Sequence, residues 1–259
     1  MSNGTPAPSV PGHPNSTARR PSSISSAAAS IAARPNSSGV KSSNPASIPS
    51  AFSPPRARFA PAPPPVWIQS ATAHIYGDTA DELLDESSPI GQGFAPTVGL
   101  AWEKAFTEVD LPACRKVILR TTFVLGRHGG PLPILARLSR WFLGGRTGSG
   151  KQYMSWIHEA DLQAILLRAL KNPDMHGIYV VTAPLPLTNQ QFMQTLRSAV
   201  GRPWSPPVPA LIVRLGAFFL RTDPELALLG RRCVPTRLLR EGFEFRFAEL
   251  RSALEDLVG

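Results

Sequence analysis

Ser70-Ala71-Thr72-Ala73-His74-Ile75-Tyr76-Gly77-Asp78 follows the apolar run Val66-Trp67-Ile68 and reads as a strand ending in a hydroxyl-rich turn. Strand ends of this kind are where α/β enzymes keep their chemistry. What lies upstream is the second clue. Residues 1–65 are dominated by Pro, Ser and Ala, and Gly4, Gly12 and Gly39 stand isolated there.

Composition divides the chain at the same place. It carries 27 Lys plus Arg against 18 Asp plus Glu, a formal net charge of +9. Six of those cations and half of the 28 prolines fall in residues 1–65, where no Asp or Glu occurs. Such a segment cannot bury enough apolar surface to offset its ordering entropy, so residues 1–65 are predicted to be a disordered tail. The basic balance then belongs mainly to the tail, and no Lys/Arg stripe interleaved with aromatics follows it. A nucleic-acid partner is therefore not expected.

Residues 66–259 are enough for a sizeable core. Cys114 and Cys233 lack any Cys-x-x-Cys spacing, which argues against a disulfide framework or a zinc site. The longest apolar run, Ala210 to Leu220, is interrupted by Arg214 and falls well short of the ~20 residues a bilayer requires. It reads as a buried helix, and no membrane partner is expected. Without an apolar secretory core the chain is expected in the cytoplasm. The Arg/Ser/Ala-rich, acid-poor leader keeps organelle targeting as the alternative.

The pattern from residue 66 alternates strands and helices. Val66–Ser70 is a strand, and 81–89 an acidic loop closed by Pro89. Val98, Ala101, Trp102, Ala105 and Phe106 recur at helical spacing, and Lys116 to Gly126 is apolar enough for a strand covered on both faces. Strand, helix, strand predicts a right-handed parallel crossover. A helix over 132–143, a strand over 153–158, a helix over 161–171, a strand over 177–181, a Thr188-capped helix over 189–201 and a last helix over 248–257 complete the reading.

These pieces resemble the atypical, epimerase-like branch of the extended short-chain dehydrogenases/reductases, the NAD-dependent epimerase/dehydratase superfamily, with its C-terminal domain of unknown function. The likeness rests on Ser70 to Asp78, Leu-Arg-Thr-Thr-Phe-Val-Leu-Gly at 119–126, Gly-Ser-Gly-Lys-Gln-Tyr-Met-Ser-Trp-Ile-His-Glu-Ala-Asp-Leu at 148–162, and the signature Arg231 to Phe247. It implies an α/β fold: a partial Rossmann-like parallel sheet over 66–204 and a small α-rich module over 205–259. It also implies NAD or NADP as cofactor and a small-molecule substrate, with nucleotide-linked molecules among the candidates. Carried onto this sequence, it makes Thr72 the catalytic hydroxyl and Ser70, Thr121 and Gly126 cofactor contacts. Tyr76, Arg127, Lys151, Trp156 and His158 become substrate contacts, and no metal is implied.

Two features depart from that pattern. Relatives open with a strand, a glycine-rich turn and a helix whose N-terminus holds the cofactor pyrophosphate, and the isolated glycines of 1–65 cannot build one. The proton-donating Tyr-x-x-x-Lys pair is also missing, since counting back from Trp102-Glu103 places its positions near Ala95 and Gly99. The branch as a whole departs there.

Plainer readings stand beside each assignment. Thr72 is equally read as a strand-end hydroxyl bonding backbone, Tyr76 as core, and His158, Glu159 and Asp161 as helix-terminal residues and not metal ligands. Alternation puts at least one of Tyr153 and Trp156 in the core. Gly145 to Lys151 matches a phosphate-loop spacing, but Gln152 stands where Ser or Thr would bind magnesium, and the loop follows a helix instead of a strand. Two functions remain: an NAD(P)-dependent epimerase or reductase, and a non-catalytic remnant or binding module that has lost its cofactor side.

Overall fold

The computed structural model describes residues 64–209 and 229–259. Residues 1–63 of the tail expected over 1–65, and the helix expected over Ala210 to Leu220, lie outside the described residues.

From the N-terminal side the elements are β1 (Val66–Thr72), a 3-10 helix (Ala73–Tyr76), β2 (Leu83–Leu84), α1 (Phe94–Thr107), β3 (Arg115–Thr121), β4 (Phe123–Leu125) and α2 (Leu132–Arg140). There follow β5 (Tyr153–Met154), β6 (Trp156–His158), α3 (Glu159–Lys171), β7 (Gly177–Val181), β8 (Leu187–Thr188) and α4 (Asn189–Ala199). After the gap come β9 (Arg232–Cys233), α5 (Thr236–Arg240) and α6 (Leu250–Val258).

The main sheet is parallel, in the order β1-β3-β7, which is the expected α/β architecture. Its centre is β3, where Val117, Ile118, Leu119 and Arg120 are buried in succession. Both faces are covered, as a central parallel strand requires, and each apolar side chain contributes roughly 1.5–3 kcal/mol. On one face, Trp67 of β1 meets Phe106 of α1 edge to face at 5.0 Å. On the other, Ile165 of α3 packs with Val117, Leu119 and Tyr179. A further core joins β6, α2, α4 and α6 through Trp156, Leu132, Phe192, Leu196 and Leu254. The capping box expected at Thr188 is present, with Gln191 as its partner.

The long expected strands are each broken in two. Thr122 interrupts 116–126, because both its backbone N–H and its hydroxyl donate to the Val181 carbonyl, at 3.2 and 3.1 Å. The chain then leaves β7 and pairs β4 with β6. Ser155 interrupts 153–158, its hydroxyl bonding the Arg231 carbonyl and the Cys233 N–H, and β5 on its N-terminal side pairs antiparallel with β8. The acidic loop 81–89 contains the unforeseen β2, which pairs with β9 and carries the C-terminal segment to the ends of β1 and β3. Gly91 lets the following loop lie on the 3-10 helix: its N–H donates to the Ile75 carbonyl at 3.0 Å, and a Cβ there would sit 2.2 Å from the Tyr76 carbonyl oxygen.

Candidate functional site at the strand ends

Thr72 closes β1 opposite Thr121, the last residue of β3. Its hydroxyl accepts the His74 backbone N–H at 3.1 Å and lies 2.9 Å from His74 Nδ1. The hydroxyl oxygen can still accept a second hydrogen bond, so the ring tautomer sets the direction of its contact with Nδ1, and the ring nitrogen on the far side is Nε2. That Nε2 is buried and has no hydrogen-bond partner among the described residues. Burial, helped by the Arg231 charge, holds the His74 pKa down from 6.5 to about 3, so the ring is neutral at pH 7.

His74 and Ala73 line a cavity of about 20 Å³ with Thr122 and Phe123 from the β3–β4 junction, Tyr153 and Ser155 from the β5–β6 junction, and Arg231 and Cys233 at β9. No Asp or Glu lines it. Ser155 fastens the last wall by donating to the Arg231 carbonyl and accepting the Cys233 N–H, both at 2.8 Å. Burial pushes the Cys233 thiol up to about 11, which keeps it protonated and unreactive near neutrality.

Beneath this floor Arg120 joins Glu103 in a buried two-pronged pair, Nε to Oε1 at 2.9 Å and Nη2 to Oε2 at 2.8 Å. Its Nη1 donates to the Tyr76 hydroxyl at 2.9 Å, and that hydroxyl donates to the Asp85 carbonyl at 2.7 Å. Burial outweighs the cation beside it and pushes the Tyr76 pKa up to about 12. A phenol so placed is a structural link, without a free proton to give.

The human protein named Epimerase family protein SDR39U1 is 36% identical over 200 residues, which cover 77% of this chain and 67% of that protein. The chain belongs to the epimerase family of extended short-chain dehydrogenases/reductases. A family described as Domain of unknown function (DUF1731) matches residues 208–257. The Bacillus subtilis epimerase family protein YfhF is 30% identical, over 75% of this chain and 63% of its own length. Among solved structures, human SDR39U1 isoform 2 with NADPH superposes with a TM-score of 0.72 at 34% identity, covering 78% of this chain and 68% of that one. The Thermus thermophilus UDP-glucose 4-epimerase complex with NAD, 20% identical with a TM-score of 0.57, shares the fold. This epimerase-family chain thus spans about two thirds of the length of the human relative.

The structure distributes the expected site residues unevenly. Thr72 lies beside the cavity as the partner of His74. Tyr76 and Trp156 are 0% exposed and belong to the core. Ser70 is exposed on β1, and the Thr121 hydroxyl donates to the Leu119 carbonyl at 3.2 Å. The Glu159 carboxylate sits against Gly126, where a Cβ would meet Oε2 at 2.6 Å, and accepts the Arg127 N–H at 3.2 Å. Arg127 reaches the Asp256 carbonyl and lines a different recess of about 300 Å³ with Arg140 and Leu257. Lys151 is exposed on its loop. His158 caps α3 by accepting the Ala160 N–H at 3.0 Å, stacks on Phe247 at 3.8 Å, and approaches Asp256 Oδ2 at 3.3 Å without hydrogen-bond geometry. The phosphate-loop spacing is turned inside out: the Gly148 and Ser149 carbonyls hold the Arg146 guanidinium at 2.9 and 2.7 Å.

Sequence reasoning missed His74, Arg231 and the Arg120–Glu103 pair as site elements. Thr-x-His at 72–74 was the available signal for the first, and one cation inside Val117-Ile118-Leu119-Arg120 for the last. A pH prediction follows from His74. Its folded pKa lies below the unfolded 6.5, so its neutral form adds stability that is complete above pH 6.5 and lost as pH falls toward 3. Between those values stability should fall by at most about 1.4 kcal/mol per pH unit from this group. His74→Gln should flatten that limb in urea titrations at stepped pH, and an unchanged slope would remove His74 as its source.

Proposed function

We propose that this chain is the substrate-side half of an NAD(P)-dependent epimerase/reductase-like protein whose own cofactor site is deficient. Residues 66–204 form its partial Rossmann-like part and 205–259 its family-specific module. The observation that carries the reading is the state of the groups expected to meet a cofactor. The Thr121 hydroxyl is spent on backbone, Gly126 is covered by Glu159, and β1 has a strand partner on one side only among the described residues. No glycine-rich strand-to-helix turn occurs in residues 1–65 to cradle a pyrophosphate. These residues do not fit a dinucleotide, and no chemical step is drawn through one. A non-catalytic binding module is the second reading, favoured by Ala95 and Gly99 of α1 standing where a Tyr and a Lys would serve proton transfer. The ligand in either reading is a small molecule, with nucleotide-linked compounds among the candidates. Its place is the cytoplasm. The Arabidopsis thaliana relative named chloroplastic favours the organelle alternative, which a reporter fused to residues 1–65 tests by its location.

The test is NADPH titration of the full chain, followed by fluorescence and melting temperature, with human SDR39U1 as the positive control. The full chain should show no saturable signal and an unshifted melting temperature. A true site at 100-fold excess over Kd would add about 2.7 kcal/mol, and that outcome would overturn the deficiency.

A further inference from the structure

We propose that the outward face of α2 and the turn that ends it dock on an anionic lipid membrane. Trp141, Phe142 and Leu143 enter the headgroup layer, and Arg137, Arg140 and Arg202 face its phosphates and carboxylates. The contact is peripheral, since no helix among the described residues is long and apolar enough to cross a bilayer. The expectation of no membrane partner rests on that length alone and does not bear on a surface contact.

Three observations carry it. The first is an apolar face turned outward. α2 buries Leu132, Ala136 and Ser139, while its opposite side carries Ile134, Leu138 and Trp141 at spacings of four and three residues, all exposed. Single exposed apolar residues are ordinary, but a continuous patch of large ones marks a contact surface. The patch continues past the helix, where Trp141, Phe142 and Leu143 are 75%, 46% and 56% exposed in succession. Ser205 donates to the Phe142 carbonyl at 2.6 Å and keeps its exposed neighbour Trp204 at the same end.

The second is backbone strain at that tip. The Phe142 N–H donates to the Ser139 carbonyl at 3.0 Å and the Leu143 N–H to the Leu138 carbonyl at 2.9 Å, the two bonds that close a helix, most often around a glycine. Phe142 takes the left-handed conformation this closure needs, with φ at 60°, although its Cβ disfavours it. Packing within the fold does not account for a phenyl ring there. The ring is half exposed, and the Arg202 guanidinium lies over it, 5.3 Å from its centre.

The third is charge. No Asp or Glu occurs between Asp110 and Glu159, nor between Asp174 and Asp223, so every charged side chain that α2, its closing turn and the 202–205 segment contribute is positive. Arg140 donates to the Val258 carbonyl at 3.4 Å, and Arg202 to the Arg140 and Gly201 carbonyls at 3.3 and 3.1 Å, all neutral acceptors. None of Arg137, Arg140 and Arg202 is in an ion pair among the described residues, the terminal carboxylate of Gly259 included.

These features together select the partner. A second copy of the chain would set three arginines against three. A single-stranded nucleic acid would stack on the aromatic rings but would leave Ile134, Leu138 and Leu143 without a role. A membrane interface uses all of them, with indole and phenyl rings at headgroup depth, aliphatic side chains toward the acyl chains and guanidinium groups at the phosphates. Anionic lipid is concentrated in the leaflet that faces the cytoplasm, where the chain is proposed to work.

The experiment is flotation of the full chain, without nucleotide, on vesicles of phosphatidylcholine alone and of phosphatidylcholine with about 30 mol % phosphatidylserine. The anionic vesicles should bind at least about tenfold more tightly, and binding should weaken as salt rises from about 0.1 to about 0.5 M. Trp141→Ser/Leu143→Ser should lose at least about tenfold, and so should Arg137→Gln/Arg140→Gln/Arg202→Gln. Phe142→Gly separates docking from folding: it should bind vesicles more weakly and yet melt at a higher temperature, because glycine takes the left-handed conformation without strain. No binding, or equal binding to both vesicles, overturns the proposal. So does anionic binding that survives both patch variants, which would be the work of the six cations in residues 1–65. Polyuridylate binding that Trp141→Ser/Leu143→Ser abolishes would give the face to nucleic acid and overturn it as well. NADPH is absent throughout, so failure here and failure of the cofactor reading are separate results.

Discussion

Arg120→Met is expected to destabilise the fold by about 3–5 kcal/mol, because it leaves the Glu103 carboxylate buried without a counter-charge. The two side chains are 4% and 8% exposed, so water cannot replace the lost partner. The damage extends to the Tyr76 hydroxyl, which loses its donor and keeps only its bond to Asp85. Desolvation opposes the guanidinium charge at this position, yet the hydrogen bonds and charges of Glu103 and Tyr76 raise its pKa above the ordinary arginine value. The charge therefore stays and the pair acts as a unit. The double variant Arg120→Met/Glu103→Met should recover most of the loss, since apolar replacement of a buried pair is often neutral. Urea midpoints of the two single variants and the double variant measure this coupling. Additive losses would mean that the bidentate contact is not what holds α1 to the strand ends.

The same pair shows where sequence stops being legible. The spacing of Val98, Ala101, Trp102, Ala105 and Phe106 announces α1 and its length, but the residues actually buried are Pro96, Gly99, Glu103 and Phe106. Hydrophobic periodicity turned the helix too far because its deepest polar contact is a carboxylate, and a carboxylate goes inside only when a distant guanidinium meets it. β3, β7 and α4 were legible because their signals are local: a run of buried apolar residues, or Thr188 three residues before Gln191. The walls of the cavity were not, because β2 and β9 place Cys233 beside Leu84 across most of the fold and neither two-residue strand has a pattern of its own. Thr72 was legible as a strand-end hydroxyl, while its role depends on His74, two residues on, whose significance comes only from burial and from Arg231. Trp156 illustrates the reverse error: an aromatic in a motif-bearing strand invites a substrate contact, yet the broken strand turns it wholly into the core.

Asp161→Asn should cost about 2–4 kcal/mol, through loss of hydrogen bonds to a charged acceptor. Its place in the first turn of α3 accounts for its charge, but its two oxygens do more than answer the helix dipole. Oδ1 accepts the backbone N–H of Arg246 at 2.9 Å, and Oδ2 accepts that of Phe247 at 3.0 Å. At 2% exposure neither donor has water as an alternative. The asparagine amide can accept only one of those donors and turns its own N–H₂ toward the other, so the isosteric change removes one bond and adds a repulsion. What comes loose is the start of the C-terminal helix, because Phe247 stacks on His158 while Leu250, Ala253, Leu254 and Leu257 of α6 fill the core shared with α2 and α4. Hydrogen exchange should quicken first at the Arg246 and Phe247 amides and then along α6, before it does so in β3. Full protection of those amides in Asp161→Asn, or a loss below about 1 kcal/mol, would place the anchoring of the module in its apolar contacts alone.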